Sequence, residues 1–122
     1  MSSSALLSLL LLVPSAAWAW EDWDLETKTM FVASSIAITA DWATTRNMTH
    51  RYDEGYRELN PILGDYPSTS QVDAYMIGML VTNYFITDWL PKEHRIFYLS
   101  YRTVTHGAAA HNNMQIGLRL KF

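Results

Sequence analysis

Apolar residues fall in long blocks separated by turn-formers, and the blocks have helical length. The first runs over residues 4–19, where Leu6, Leu7, Leu9, Leu10, Leu11, Leu12 and Val13 crowd together before Pro14. The second, TMFVASSIAITADWATTR, predicts a helix over about 29–46, and its first twelve residues carry no charge. The third, VDAYMIGMLVTNYFITDWL, predicts a helix over about 71–90 that stops at Pro91; Ser68 or Ser70 can cap it, and Asp73 suits its positive end. The fourth, RIFYLSYRTVTHGAAAHN, predicts a helix over about 95–112, with Gly107 to Ala110 as a smooth face for close packing. Between the second and third blocks, residues 47–70 are polar and rich in turn signals: Gly55, Asn60-Pro61, Gly64 and Pro67. The short linker Pro91 to His94 implies antiparallel neighbours.

The expected fold is all-α: a signal peptide followed by a three-helix bundle that crosses the membrane, with a short amphipathic C-terminal tail. In that tail Met114, Ile116, Leu118, Leu120 and Phe122 alternate with Gln115, Gly117, Arg119 and Lys121. Such alternation suits a strand as well as a tail lying on the body. A strand ending in Phe also resembles the closing strand of outer-membrane barrels, but the long uncharged runs leave too few residues for eight strands.

The N-terminal block reads as a signal peptide over 1–19. Its apolar run is broken by Pro14, and Ala17-Trp18-Ala19 gives the small-x-small pattern of a cleavage site. Residues 20–122 then form a single helical domain. An uncleaved anchor is the alternative, and both imply export or membrane insertion.

Charge and composition narrow the functions. Nine Lys and Arg face twelve Asp and Glu, a net charge of −3, with no basic run. Nucleic acid is therefore not an expected partner. No cysteine is present, which excludes a thiolate zinc site, an iron–sulfur cluster and a cysteine nucleophile. Aromatic residues make up 13% and charged residues 17% of the chain, so it has ample surface to bury. Yet mean hydropathy is only −0.05, low for a chain made mostly of spans. Charge topology favours the membrane: with the mature N-terminus outside, Arg46, Arg51, Arg57, Arg119 and Lys121 lie inside, against Lys28, Lys92 and Arg95 outside. Trp23, Trp42 and Trp89 fall near block ends, where an interfacial belt would put them.

The distinctive polar residues are Asp41-Trp-Ala-Thr44-Thr45-Arg46, followed by Glu58-Leu-Asn60-Pro61-Ile-Leu-Gly64. Asp41 shares a helix face with Thr44 and Thr45. Arg102 is its expected cation, since both would otherwise be unpaired at depth. Glu58 can accept backbone N–H groups of its loop, and Asn60-Pro61 starts a turn. Together, Asp41, Thr44, Thr45, Arg102, Glu58 and Asn60 form an expected polar clasp. His106 and His111 are five apart and diverge on a helix, a poor spacing for a metal; no metal or other cofactor is expected. No G-x-S-x-G and no phosphate loop occur.

This D-x-x-T-T helix end followed by an E-x-N-P loop resembles a group of small uncharacterised bacterial and phage membrane proteins. The resemblance covers about residues 38–64 and implies no activity. It suits a phage-encoded role in the host envelope.

Three functions compete. The first is a small integral protein of the bacterial inner membrane, acting through self-association or contact with another envelope protein. The second is a soluble periplasmic helical binding module. The third is an enzyme with a polar site of Asp41, Glu58 and His106 between helices, which requires those side chains to converge.

Overall fold

The computed structural model describes residues 19–122, and the signal peptide expected over 1–19 lies almost wholly outside them. A helical turn at 19–22 leads into α1 (Leu25–Met48). A 3₁₀ turn follows (Tyr52–Glu54), then α2 (Thr69–Trp89) and α3 (Lys92–Gln115). The described residues contain helices and no strand. The three helices span 24, 21 and 24 residues. α1 and α3 are longer than the sequence pattern predicts at both ends.

Two of the three helices start where a side chain satisfies free amides, and α3 follows Pro91 with no side-chain cap. Asp24 caps α1 by accepting from the Thr27 amide at 2.8 Å. That bond holds the exposed Asp24 carboxyl below its ordinary value of 3.8. Ser68 caps α2 in a reciprocal box with Gln71: Ser68 Oγ accepts from the Gln71 amide at 3.1 Å, and Gln71 Oε1 accepts from the Ser68 amide at 2.8 Å. Only Leu90 and Pro91 separate α2 from α3. Arg95 bridges the corner, its guanidinium donating to the Leu90 and Asp88 carbonyls at 3.1 and 3.0 Å, so the last carbonyls of α2 are satisfied from α3.

The helices run up, down and up. α1 meets α2 antiparallel, with Trp23 near Asp88, Ser34 on Asn83, Trp42 on Asp73 and Thr49 on Thr69. It meets α3 parallel, with Asp41 against His106 and Thr44 against Asn113. α1 and α3 pack most extensively, and the sequence neighbours α2 and α3 pack least. The smooth face expected from Gly107 to Ala110 is only partly used. Ala110 is buried, but a Cβ on Gly107 would meet open space.

Polar and apolar side chains share the interior of the bundle. Its apolar centre is small: Ile38, Val72 and Met76, flanked by Trp42, Tyr75, Met79 and Leu80. Thr27, Ser34, Thr44, Thr45, Asn83 and Thr87 are buried to 2% exposure or less. Most of these hydroxyls donate to a carbonyl one turn back, as Thr87 does to Asn83 at 2.6 Å and Ser34 to Phe31 at 2.8 Å. Outward, α2 shows Ile77, Val81, Phe85 and Trp89 every fourth residue, and α3 shows Phe97, Tyr101 and Val104. α1 adds Leu25, Val32 and Ile36. Among the described residues no helix is long and apolar enough to cross a membrane. The windows fail because polar and charged residues, buried ones such as Thr44 and Asn83 and unburied ones such as Lys28, Arg95 and Arg102, interrupt the apolar stripes.

At one end Trp20, Trp23, Phe31 and Tyr84 form an aromatic cluster with ring centroids 5.0–5.6 Å apart. At the other end the tail leaves α3 through Gly117, at φ 103°. Arg51 Nη1 and Tyr56 Oη hold the carbonyls of Gly117 and Ile116 at 2.7 and 2.6 Å. Met114 and Gln115, which the alternation would place in a strand, belong to α3. The rest doubles back along α1 without strand pairing: Leu118 is buried, the Arg119 amide donates to Asn47 Oδ1 at 3.1 Å, and Phe122 stacks edge-on to Trp42 at 5.1 Å.

Because the Asp24 carboxyl is held below 3.8, its cap contributes fully above that pH and is lost as pH falls through the lowered value. Amide exchange at Thr27 is therefore expected to be protected at pH 5 and to accelerate, relative to mid-helix amides, as pH drops below about 3.8. Asp24→Ala should abolish this pH dependence.

Candidate functional site

The polar residues singled out by sequence gather at the α1–α3 contact and the loop beneath it. Asp41 Oδ2 lies 2.7 Å from His106 Nδ1, and both side chains are about nine-tenths buried. Asp41 Oδ1 accepts from Thr45 Oγ1 at 3.1 Å, the i, i+4 contact on its own helix. Thr44 Oγ1 donates to the Ala40 and Asp41 carbonyls, both at 3.1 Å, and accepts from Asn113 Nδ2 of α3 at 2.9 Å. One turn on, Asn47 Oδ1 accepts from Arg51 Nη1 at 3.2 Å and from the Arg119 amide. A line of polar contacts thus fastens α1 to α3 and the tail.

Arg102 is not the partner of Asp41. It sits one turn before His106 and donates to Tyr98 Oη at 3.1 Å and Met79 Sδ at 3.2 Å. Its guanidinium lies 5.5 Å from the Tyr98 ring centroid. At that level α3 turns Arg102 toward α2, and His106 takes the inward position.

Glu58 and Asn60 organise the loop. Glu58 Oε1 accepts from the Leu59 and Asn60 amides at 2.8 and 3.0 Å. Asn60 Oδ1 accepts from the Ile62 amide at 2.9 Å, and its carbonyl accepts from Leu63 and Gly64. Gly64, at φ 79°, permits the return, which the Glu58 amide closes on the Asp65 carbonyl at 2.8 Å. Asn60 Nδ2 then donates to Tyr75 Oη at 2.9 Å, tying the loop to α2.

A cavity of about 300 Å³ lies between loop and bundle. Asp41, Arg57, Glu58, Asn60, Met76 and Asn113 contribute to its wall. The structure therefore brings Asp41 and His106 into contact and puts Asp41 and Glu58 on one cavity. One Glu58 oxygen is already spent on loop amides, and Arg102 stands apart. No cluster of three His, Cys, Asp or Glu suited to a metal occurs among the described residues. His111 is exposed while His106 is buried, so the two point apart.

Several polar contacts carry no pattern a sequence reader could use. Asn83 Nδ2 donates to Ser34 Oγ at 2.9 Å, and Asn83 Oδ1 is buried without a partner among the described residues. Asp73 accepts from Trp42 Nε1 at 2.8 Å and Arg46 Nε at 3.1 Å. Its carboxylate serves α1 rather than only the start of its own helix. These pairs join residues 27 to 49 positions apart, and only helix rotation decides that they meet.

No family model, no curated protein and no solved structure matches this chain.

Removing one partner of a buried hydrogen-bonded pair leaves the other unsatisfied. His106→Leu is expected to destabilise the fold by about 1–3 kcal/mol in chemical unfolding. Asp41→Leu/His106→Leu should cost clearly less than His106→Leu alone. A double variant as damaged as the single would mean that the stranded Asp41 carboxyl is not what costs the stability.

Proposed function

We propose that this is a non-enzymatic, membrane-associated protein of the bacterial envelope that acts through helix–helix contact with itself or with another envelope protein. What carries the reading is the placement of side chains: buried hydroxyls, amides and an Asp–His pair within, and large apolar residues exposed on all three helices without. In water Ile77, Val81, Trp89, Phe97 and Val104 among them would be left exposed to solvent. Against lipid they cost nothing, and the inward polar groups then serve as interhelical glue. The expected signal peptide and the resemblance to small bacterial and phage membrane proteins support the same placement, and a phage-encoded role in the host envelope suits the size.

A second reading is an acid–base site between helices. The 2.7 Å Asp41–His106 contact, beside a cavity that Asp41, Arg57, Glu58 and Asn60 help to line, favours it. Asp41→Asn separates the two readings: it should alter assembly in crosslinking under the first and turnover under the second. The soluble periplasmic module differs in where the protein is found.

Fractionation of the expressed protein, with mass spectrometry of its N-terminus, tests the placement. A chain starting at Trp20 is expected in the carbonate-resistant membrane pellet. Its release by osmotic shock without detergent would overturn the reading. Val81→Asp sharpens the test. On a watery surface it would change stability by no more than about 0.5 kcal/mol. Facing lipid, the added charge costs ~2.5–3.5 kcal/mol and should shift protein out of the membrane pellet.

A further inference from the structure

The outer face of α1 carries an apolar groove of about 490 Å³ that the core does not use. Phe31, Val32, Ile36 and Ala40 line it from the helix, and Leu120 and Phe122 close it from the tail. Immediately beyond its end, where the helix finishes, a second pocket of about 360 Å³ is lined by Asn47, His50, Arg51, Arg119 and Lys121. The alternation of the tail builds both at once: Leu120 and Phe122 turn to the groove, Arg119 and Lys121 to the basic pocket.

The charges in the second pocket are not balanced. Arg51 is neutralised by Glu54, with Nε and Nη2 at 2.8 and 3.1 Å from its carboxylate. Arg119 and Lys121 form no ion pair among the described residues, and no acidic side chain lines the pocket. Two free cations are thus held at one spot on a chain of net charge −3.

We infer that the α1 groove and the basic pocket together bind one anionic phospholipid, its acyl chain along α1 and its phosphodiester between Arg119 and Lys121. The inference deepens the membrane reading and rests on it. Charge complementarity selects an anionic headgroup: a zwitterionic one would bring its own cation into a pocket already holding two. Length selects a membrane lipid. From Phe31 to Ala43 the groove follows twelve helical rises, ~18 Å at ~1.5 Å each, close to one leaflet of a ~30 Å hydrocarbon core. The pocket then sits where the leaflet surface would lie, and Arg119 and Lys121 can reach headgroups from an apolar tail. Trp42, stacked on Phe122, reports occupation.

The test uses the full chain purified in a neutral detergent, so it does not depend on where the cell places the protein. Fractionation decides that separately. Dioleoyl phosphatidylglycerol and dioleoyl phosphatidylcholine are offered in equal amounts, and retained lipid is counted by native mass spectrometry. Phosphatidylglycerol is expected to be retained at least tenfold over phosphatidylcholine. Each surface cation contributes about fivefold, so Arg119→Gln/Lys121→Gln should abolish the preference. Both positions are exposed, so the fold should survive. Leu120→Ser/Phe122→Ser should lower retention of both lipids. Phosphatidylglycerol with brominated chains should quench the wild type more than Trp42→Phe. Equal retention of the two lipids, or a preference that survives the double Gln variant, would overturn the site. Displacement of the lipid by millimolar inorganic phosphate would assign the pocket to free phosphate instead, and a dimer that excludes lipid would assign the groove to a second copy.

Discussion

The contact between Asp41 and His106 is the constraint to which the rest of the bundle conforms. A carboxylate nine-tenths buried on one helix needs a donor at fixed depth and rotation on another. Meeting it at 2.7 Å sets the register of α1 against α3, and that register puts Thr44 beside Asn113 and Asn47 beside the tail. α2 is then held mostly by α1, through Ser34–Asn83 at one level and Asp73 with Trp42 and Arg46 at another. With an apolar centre as small as Ile38, Val72 and Met76, hydrophobic burial alone would leave rotation and register of the helices loosely specified. The polar contacts supply that specification, as in helix pairs that lack a hydrophobic drive toward each other.

The helices themselves were legible because they depend on local signals. Ser68 with Gln71 starts α2 and Pro91 stops it, and both are readable without knowing what the helix packs on. The bonds that the Glu58 and Asn60 side-chain oxygens accept from loop amides are equally local, at most two residues apart, whereas the Asn60–Tyr75 bond spans fifteen. The pairing of Asp41 was not local. Arg102 and His106 lie one turn apart on α3, so sequence identifies the facing stripe but not the rung. Sixty-five residues separate Asp41 from His106, and the rotation of α3 turns Arg102 to Tyr98 and Met79 instead. Asn113 and Asn83 give no signal at all, since a single asparagine in a helix looks the same whether buried or solvated.

Hydropathy windows and helix faces answer different questions here. A window averages every residue of a turn, so the buried Thr44, Thr45, Asn83 and Thr87 weigh as much as the exposed Ile77, Val81 and Phe85. No described helix reaches the apolar mean needed to cross a membrane. Large apolar side chains such as Ile77, Val81 and Phe85 nonetheless face outward while Thr44, Asn83 and Thr87 face inward, a difference that a window cannot register.

The same reasoning gives the tail its meaning. Alternation with period two says only that successive residues face opposite ways, and a strand is one way to use that. Here Gly117 turns the chain, Arg51 and Tyr56 hold two of its carbonyls, and Leu118 anchors it in the bundle. Pairing with another strand is then unnecessary, because α1 supplies the surface on which the alternation is read out. Leu120 and Phe122 extend the apolar face of α1, and Arg119 and Lys121 add charge at its end. A tail that merely covered the core would need only its apolar half; the unpaired cations on the other half are what remain to be accounted for, and an anionic amphiphile accounts for both.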